Sequence, residues 1–540
     1  MELVFDYIVR GVLGVFFEEG GSFIWLPVFM VFCGIVLGIV VGSTPGLNGP
    51  FAMAIALPIL ISTFGTSNDA LLPILGFLIG LMKGSTLGGA VPAILFNTPG
   101  TPDAYMTTLD GYPMTRKGQG KKALKIAHFS SVSGDTLSDI ALFVLAPTAA
   151  LMIESILGLP DKAALIILSL SFMAAVAGNS VTKGLIAGGF GMLLALLGSA
   201  LSGDGPRMTL GIPALGNGLP MTSAILGVLV LGEVFIAIEN LMRDRHQSAR
   251  AVKQKSVDSR LSWREMKDLL PTIFRSAGIG TVIGALPGIG TTLAATLGYE
   301  AEKKRSSSPE RFGKGAPEGV AATEAANSSV SGANLIPVMS LGIPGNFAAV
   351  FLILAVEAVG DFTFGPQVFR FTEIRELEGY GTVINSELVI AFGIFTLMMF
   401  GNLCNWTLGR YVILSMGILS RIPATMTPAL VLLITLTAVY AQDGGLIGVW
   451  TVLGLGLIGY VLRRLDISLL PLVIGFILAP QLEALVRNAF SASGGDPFFL
   501  LKSPLAVIFI LLSVVIIVRA IRNQQASAPA ALHASHHQKE

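Results

Sequence analysis

Uncharged polar residues lie beside four Pro-Gly pairs in an otherwise apolar chain, and their chemistry is that of ligand binding. The four pairs are Pro45-Gly46, Pro99-Gly100, Pro287-Gly288 and Pro344-Gly345. Asn48 follows the first pair, and Asn97 and Thr98 precede the second. Ser85 and Thr86 open the other arm of the first hairpin, and Asn327 and Ser328 lie upstream of the fourth pair. Proline removes an amide hydrogen from a helix and glycine admits unusual backbone angles, so each pair is expected to break a helix. The freed amides, with hydroxyl and carboxamide groups, bind a carboxylate without a buried ion pair, whose desolvation is costly. The pattern predicts an anion-binding site.

Such breaks also have a purely structural interpretation. Pro-Gly pairs kink helices or let them pack closely, and serine and threonine join neighbouring helices by hydrogen bonds. For one isolated break the structural interpretation is the better one, but four breaks in matching positions favour a site. We therefore expect Gly100 and Gly345 to provide positive φ angles or room for the backbone to approach a ligand.

The four breaks form two copies of one pattern. Residues 42–47 (Gly-Ser-Thr-Pro-Gly-Leu) match residues 284–289 (Gly-Ala-Leu-Pro-Gly-Ile) at an offset of 242. A second match, at an offset of 245, joins Pro92 and Pro99-Gly100 to Pro337 and Pro344-Gly345. Two matches in the same order predict an internal repeat.

Basic residues alternate between equivalent loops of the two copies. Loop 60–73 has no lysine or arginine, whereas its counterpart contains Lys303, Lys304, Arg305, Arg311 and Lys314. After the second break the bias reverses, because 116–125 contains five basic residues and 357–367 contains none. Short loops rich in lysine and arginine face the cytoplasm. The two copies are therefore predicted to have inverted topology.

The composition is that of a protein solvated by lipid. Of 540 residues, 53% are hydrophobic and only 13% are charged, and the mean hydropathy is +0.74. Soluble domains carry roughly 25% charged residues. Recurrent apolar stretches predict an all-α polytopic membrane protein with about 11 to 13 spans, in two inverted repeats with re-entrant or discontinuous helices at the Pro-Gly breaks. The net charge of +1 gives no reason to expect a nucleic-acid partner.

Charge and hydropathy also suggest segment boundaries. The predicted segments are an interfacial N-terminal segment (1–23), a first transmembrane repeat (24–241), a cytoplasmic basic linker (242–269), a second transmembrane repeat (270–485), a C-terminal span (486–520) and a disordered tail (521–540). The linker is placed in the cytoplasm because it carries eight basic and four acidic residues.

Four charged residues of apolar segments each have a functional and a structural interpretation. Asp135 and Asp139 share a helix face, where they would carry a proton or cation. The favoured alternative places them in a first helical turn at the membrane edge, stabilised by the helix dipole. Lys83 either attracts anions or extends to the interface. The role of Glu324 is left open.

Other conspicuous residues are assigned structural roles. Glu483 and Arg487, four residues apart, are predicted to form an ion pair. Cys33 and Cys404 lie in apolar spans and are expected to act as small hydrophobic residues. Residues 454–459 fit a dinucleotide-binding pattern, but no strand precedes them, so helix packing is the better interpretation. No sequence motif favours an enzyme, and no metal site or cofactor is predicted.

The sequence resembles the TctA family, the large transmembrane subunit of tripartite tricarboxylate transporters. The motifs that carry the resemblance are 42–47, 84–102, 109–114, 203–207, 286–288, 299–303, 309–313, 324–327, 341–345, and Pro471, Gly475, Glu483, Arg487 and 493–496. Residues 133–139 are more acidic than the family pattern.

The resemblance implies secondary active uptake of small tri- or dicarboxylates such as citrate across a bacterial inner membrane. A sodium or proton gradient would drive the uptake. A periplasmic binding protein (TctC-like) would deliver the substrate, and a small transmembrane subunit (TctB-like) would complete the complex. A stand-alone carboxylate carrier without a binding protein is the alternative, and a channel is a third.

Overall fold

The chain is described here by a computed structural model and is almost entirely helical. The structure describes residues 2–18, 21–44, 47–99, 101–176, 180–199, 206–209, 211–243, 261–360, 362–372, 375–377, 381–416, 427–442 and 445–536. The helices up to the linker are α1 (Glu2–Phe16), α2 (Trp25–Gly42), α3 (Gly49–Phe64), α4 (Asn68–Phe96), α5 (Tyr105–Arg116), α6 (Gly120–Ile156), α7 (Leu159–Val176), α8 (Val181–Ala195), α9 (Met221–Leu226) and α10 (Gly232–Arg243).

The helices after the linker are α11 (Trp263–Gly284), α12 (Thr291–Arg305), α13 (Pro317–Ala333), α14 (Leu335–Leu341), α15 (Phe347–Val359), α16 (Ser386–Cys404), α17 (Arg410–Ser415), α18 (Thr427–Gln442), α19 (Leu446–Arg464), α20 (Leu469–Ala492), α21 (Phe499–Lys502) and α22 (Pro504–His536). Two short antiparallel ribbons are also present, β1 (Gly198–Ser199) with β2 (Pro206–Arg207) and β3 (Arg375–Leu377) with β4 (Gly381–Val383). A π-helical segment joins α9 to α10 (Gly227–Leu231) and another joins α16 to α17 (Asn405–Gly409), and short 3-10 turns occur between other helices.

Nine helical segments of the described ranges are long and apolar enough to cross a membrane. They are Trp25–Gly42, Asn68–Phe96, Gly120–Ile156, Leu159–Val176, Met221–Glu239, Ser386–Ser415, Leu446–Arg464, Leu469–Ala492 and Pro504–Gln524. Shorter apolar helices occur at Gly49–Phe64, Val181–Ala195, Phe347–Val359 and Val431–Ala441. The prediction of an all-α polytopic membrane protein is confirmed. The predicted span count of about 11 to 13 is reached only if shorter helices also cross.

The chain forms two compact units, and each takes segments from both predicted repeats. The first unit contains Met1–Leu151, Ile238–Leu286 and Gly290–Ala438. The second contains Met152–Ala237, Pro287–Ile289 and Val439–Glu540. The predicted segment boundaries stay a prediction, and 244–260 of the linker and 537–540 of the tail lie outside the described residues.

Asparagine side chains begin several helices of the first unit. Asn48 accepts a hydrogen bond from the Phe51 amide at 2.9 Å, and Asn346 accepts one from the Ala349 amide at 2.9 Å. Each satisfies one of the amides that a helix leaves without a partner at its first turn. These caps fix where α3 and α15 begin, directly after the predicted breaks.

Glycines on α2 and α4 bring the two helix backbones into contact. Gly34, Gly38 and Gly42 recur every fourth residue on α2, as do Gly80, Gly84 and Gly88 on α4. A Cβ atom at any of the six would lie 2.2 to 2.5 Å from a carbonyl oxygen of the other helix. Small residues at this spacing are a common solution for close helix packing in membranes. The contact holds α4, which carries Lys83, in a fixed position against α2.

The two predicted copies share local structure around their breaks. Asn97 ends α4 with φ +57°, and Gly342, 245 residues later, ends α14 with φ +72°. The amide of Thr98 donates to the Pro92 carbonyl, and the amide of Ile343 donates to the Pro337 carbonyl, each at 3.2 Å. The sequence repeat therefore recurs as a repeated helix ending. The opposed orientation of the copies stays a prediction.

Candidate functional site

Polar residues form a continuous stripe on α13, a helix whose residues from Gly319 to Ala333 are all buried. Glu324, Asn327, Ser331 and Asn334 follow one another at intervals of three and four residues. This spacing places them on one face of the helix. Burial of a polar stripe inside the protein is energetically unfavourable unless its groups form hydrogen bonds. Such a stripe in a membrane helix is therefore a candidate functional site.

Helix α6 meets this stripe with polar residues of its own. Ser131, Asp135 and Asp139 also recur every fourth residue. The helices approach closely because Gly134 lies against Ala325, where an added Cβ would come within 2.4 Å of the Ala325 carbonyl oxygen. We call the facing residues Ser131, Asp135, Asp139, Glu324, Asn327, Ser331 and Asn334 the polar seam.

A buried ion triad occupies one part of the polar seam. The Lys83 Nζ atom lies 2.9 Å from Asp135 Oδ2 and 2.7 Å from Asp139 Oδ2. Asn402 on α16 accepts from Lys83 at 3.2 Å and donates to Asp139 at 2.7 Å, and Ser331 donates to Asp135 at 2.8 Å. The Lys83 side chain is 0% exposed. The ammonium group therefore neutralises one of two buried carboxylates.

These contacts correct two sequence-based expectations. Asp135 and Asp139 are not first-turn residues at a membrane edge, because α6 begins at Gly120 and both carboxylates are buried. Lys83 does not extend to an interface, because its Nζ atom is enclosed by the triad. Both expectations failed for the same reason: a partner from a distant segment pairs with each charge.

A third buried carboxylate on the same seam, that of Glu324, has no cation beside it among the described residues. Glu324 is 0% exposed. Its Oε1 atom accepts from the Thr107 hydroxyl at 2.5 Å, and its Oε2 atom accepts from the Ser131 hydroxyl at 2.9 Å. Within the described part of the chain, no lysine or arginine forms an ion pair with it. Burial of a carboxylate without a cation is unfavourable, so Glu324 is a candidate functional residue.

Several buried polar atoms near the stripe have no hydrogen-bond partner among the described residues. They include Asn327 Oδ1, Asn334 Nδ2 and Asp139 Oδ1. Asn334 lies beside the break, because a Cβ on Gly345 would be 2.9 Å from Asn334 Oδ1. Unsatisfied buried groups are rare in folded proteins. An acceptor and a donor with spare capacity therefore lie on the helix that leads to Pro344-Gly345.

The structure brings only part of the predicted site together. Asn327 and Ser328 are buried on α13, and Pro344 and Gly345 are buried beside Asn334. Ser85 and Thr86 donate to the Met82 carbonyl of their own helix at 2.9 and 3.1 Å. Asn48 caps α3, and Asn97 and Pro99 are exposed, with Thr98 half-buried between them.

The structure does not test the remaining predicted site residues as one site. No hydrogen bond joins Asn97 or Thr98 to Asn327 or Ser328 in the described structure. Pro45, Gly46 and Gly100 lie outside the described residues. Pro287 and Gly288 belong to the second unit, where Gly288 has φ +85° and lies against Met173.

The unusual backbone angles lie three residues before the predicted glycine. Gly345 does not have a positive φ; Gly342 does, and Asn97 is its counterpart in the first copy. An added Cβ on Gly345 would lie 2.9 Å from Asn334 Oδ1. The expected approach of the backbone to a ligand stays a prediction. At the Pro344-Gly345 break the left-handed residue lies at the helix ending, at Gly342.

The second unit contains a polar cavity that sequence reasoning did not identify. It measures about 200 Å³ and is lined by Arg207, Phe476, Pro480 and Glu483 with neighbouring residues. Arg207 donates to both oxygens of Glu483, at 2.9 and 2.6 Å. The predicted ion pair of Glu483 with Arg487 is confirmed at 2.9 Å. Arg207 adds a second cation to that pair, and this contact raises the pKa of the Arg207 guanidinium.

The residues that sequence reasoning missed are Thr107, Ser131, Asn334, Asn402 and Arg207. Asn334 had a detectable signal, because it lies seven residues after Asn327 and therefore on the same helix face. Thr107, Ser131 and Asn402 had none, since hydroxyl and carboxamide residues are common in membrane helices as interhelical partners.

A polytopic helical fold with broken helices and buried charged residues defines a membrane transporter. The chain belongs to the tripartite tricarboxylate transporter TctA family, whose model matches residues 28–474. An uncharacterized 52.8 kDa protein of the TAR-I ttuC' 3' region of Agrobacterium vitis is 31% identical over 498 residues, which are 92% of this chain and 93% of that protein. An uncharacterized protein of the TAR-II ttuC' 3' region of the same organism is 32% identical over 243 residues, which are 45% of this chain and 93% of that protein. No solved structure matches the chain.

The family membership supports the general predictions of a transport role, a membrane location and partner subunits. The protein is a multi-pass membrane component of a transporter. The family belongs to a tripartite system, so partner subunits are implied.

Proposed function

We propose that the chain carries small tri- or dicarboxylates, such as citrate, across the bacterial inner membrane. A sodium or proton gradient drives the uptake, a periplasmic binding protein delivers the substrate, and a small transmembrane subunit completes the complex. The observation that carries the proposal is a pair of buried carboxamides, Asn327 on α13 and Asn334 directly after it. Among the described residues, Asn327 Oδ1 and Asn334 Nδ2 have no hydrogen-bond partner.

The chemistry of this region suits a carboxylate. Asn334 Nδ2 is a donor without a partner in the described part of the chain, and α15 begins nearby at Phe347 with the first amides of a helix. Helix N-termini attract anions through these amides and through the helix dipole. Transporters of this general type bind substrates at broken helices in the same way. Uncharged donors also avoid the desolvation cost of a permanent buried ion pair.

Binding measurements on purified variants test the substrate site. Asn327→Ala and Asn334→Ala should each weaken binding of the carried carboxylate by about 1 to 3 kcal/mol, roughly 5- to 150-fold in Kd, because each removes a side-chain NH2 group that can donate to the carboxylate. Gly454→Ala is the matched control, because an added Cβ there meets nothing within 4 Å. Unchanged affinity in both asparagine variants, with normal expression, would place the site elsewhere.

Transport assays test the class of transporter. Proteoliposomes with the full chain and its companion subunits should accumulate labelled di- or tricarboxylate uphill, and uptake at low substrate should require the binding protein. Uptake that persists without the binding protein would favour a stand-alone carrier. Flux that does not saturate and never exceeds equilibrium would favour a channel.

A further inference from the structure

We propose that Glu324 takes up and releases the coupling proton, an inference that rests on the transport function proposed above. The residue lies on the polar seam one turn before Asn327, the residue assigned to substrate binding. Its carboxyl group is fully buried and accepts only hydroxyl donors, from Thr107 on α5 and Ser131 on α6.

The hydroxyl groups around Glu324 can satisfy the carboxyl group in both protonation states. In the ionised state Thr107 and Ser131 donate to its two oxygens. After protonation of Oε1, the carboxyl O–H donates to Thr107 Oγ1, and the Thr107 hydroxyl turns to Thr323 Oγ1, which lies 3.3 Å away. A hydroxyl group donates one hydrogen bond and accepts two, so this reversal breaks no other contact. The carboxylate gains one proton, and the new O–H bond is the only covalent bond that changes.

The buried or half-buried charged or titratable groups nearest to this part of α13 have partners of their own. They include Lys83 with Asp135 and Asp139, Asp103 with Thr292, Asp110 with Tyr299 and the Gly315 and Ala316 amides, Glu302 with Arg275 and Thr272, and His128 on α6 with the Asn405 carbonyl oxygen. Glu318 lies at the first turn of α13, facing Arg311 at 3.9 Å. Asp110 is also buried without a cation, but it accepts two backbone amides, which can only donate and therefore favour the ionised form. Among these described groups, Glu324 is the fully buried carboxylate held by hydroxyl groups alone, and hydroxyl groups can donate or accept.

A proton fits this position better than a metal ion. Metal cations are held by several oxygen ligands that turn their lone pairs inward. Here both hydroxyl groups point their hydrogens at the carboxylate, and the described residues contain no cluster of three or more acidic, histidine or cysteine ligands. A proton needs neither a cavity nor additional ligands.

Transport by Glu324→Gln distinguishes coupling from substrate binding. The variant keeps the shape and a hydrogen-bonding group but cannot ionise. In proteoliposomes with the full chain and its companion subunits, it should lose carboxylate accumulation driven by a pH gradient and retain counterflow exchange without a gradient. Glu318→Gln, the same change on the same helix, should keep both activities. Retained pH-driven accumulation in Glu324→Gln would overturn the proposal, as would wild-type accumulation that follows a sodium gradient and ignores pH.

Infrared titration of the purified protein tests the proton site without transport. The wild type should show a protonated-carboxyl band that appears as the pH falls and is absent from Glu324→Gln, while Glu318→Gln retains it. An identical titration in Glu324→Gln overturns the proposal. If the wild type neither accumulates nor exchanges any di- or tricarboxylate but the band is assigned to Glu324, the proposed substrate fails and the proton site stands.

Discussion

At the scale of single residues, the Lys83 triad and Glu324 represent two ways to bury negative charge. Asp135 and Asp139 share one ammonium group and a carboxamide, whereas Glu324 relies on two hydroxyl groups. An ion triad is stable only while every member is present. A carboxyl group held by hydroxyls tolerates both charge states. The triad therefore suits a structural role, and Glu324 suits a role in which charge changes.

Removal of the lysine should destabilise the protein strongly. Lys83→Met leaves two buried carboxylates without a cation, which costs about 3 to 5 kcal/mol. The expected result is a large fall in the Tm measured in detergent, with partial recovery in the triple variant that also carries Asp135→Asn and Asp139→Asn. Lys162→Met is the control, because the Lys162–Glu154 pair is 23% and 28% exposed and contributes about 0 to 1 kcal/mol. Equal Tm values for the two lysine variants would contradict this account.

The sequence indicated which polar residues are buried, but it did not indicate which distant residues they contact. Asn327 and Ser328 were identified from their position near a break, and both are buried. The Lys83 triad was not identified, because its members come from α4, α6 and α16 and only folding brings them together. Local spacing reports the face of a helix, but it carries no information about which distant helix that face meets.

At the scale of helices, close packing of α2 against α4 positions the lysine of the triad. Both helices present a glycine at every fourth residue, and the contact leaves no space for a methyl group. Because no side chains separate them, the two helix backbones make close van der Waals contacts. Inside a membrane such contacts stabilise helix packing, since the hydrophobic effect does not act between helices in lipid. A change in this contact should therefore propagate to Lys83, which is flanked by the α4 glycines.

A single methyl group should disturb this packing. In Gly38→Ala the new Cβ would lie 2.5 Å from the Leu81 carbonyl oxygen, so the helices must separate, at a cost of about 1 to 3 kcal/mol. Gly278→Ala on α11 is the control, because its Cβ would meet nothing within 4 Å and alanine favours helix by up to about 1 kcal/mol. Thermal unfolding in detergent should lower the Tm of the first variant only. A Tm for Gly38→Ala at or above that of Gly278→Ala would be inconsistent with close packing.

Helix endings were predictable to within a few residues, but their detailed form was not. The Pro-Gly pairs correctly marked the ends of α4 and α14, which finish at Asn97 and Gly342. Pro92 and Pro337 occupy equivalent positions, yet α4 runs unbroken through Pro92 whereas Asn334 separates α13 from α14. Proline alone therefore does not decide where a helix divides, since neighbouring helices supply or withhold the compensating contacts.

At the scale of the whole chain, basic residues of separate loops gather at one end of the first unit. Lys117, in the turn between α5 and α6, donates to the Lys314 carbonyl in the connection from α12 to α13 at 2.6 Å. Thr115 donates to the Ile94 carbonyl near the end of α4 at 2.7 Å. The end of α4 thus lies at the same basic end, which the distribution of lysine and arginine predicts to be cytoplasmic.

This arrangement predicts the topology of both copies. Helix α4 contains 29 residues, so Ser67 at its start lies about 43 Å from its other end along the helix axis, enough to cross a bilayer. A reporter that is active only in the cytoplasm should therefore be active at Gly118 and at Ser307 and silent at Ser67. Ser67 and Ser307 occupy equivalent loops of the two copies, so opposite signals are what inverted repeats require. A control insertion in the linker near Ser256 should be active, and equal signals at Ser67 and Ser307 would show that the copies are not inverted.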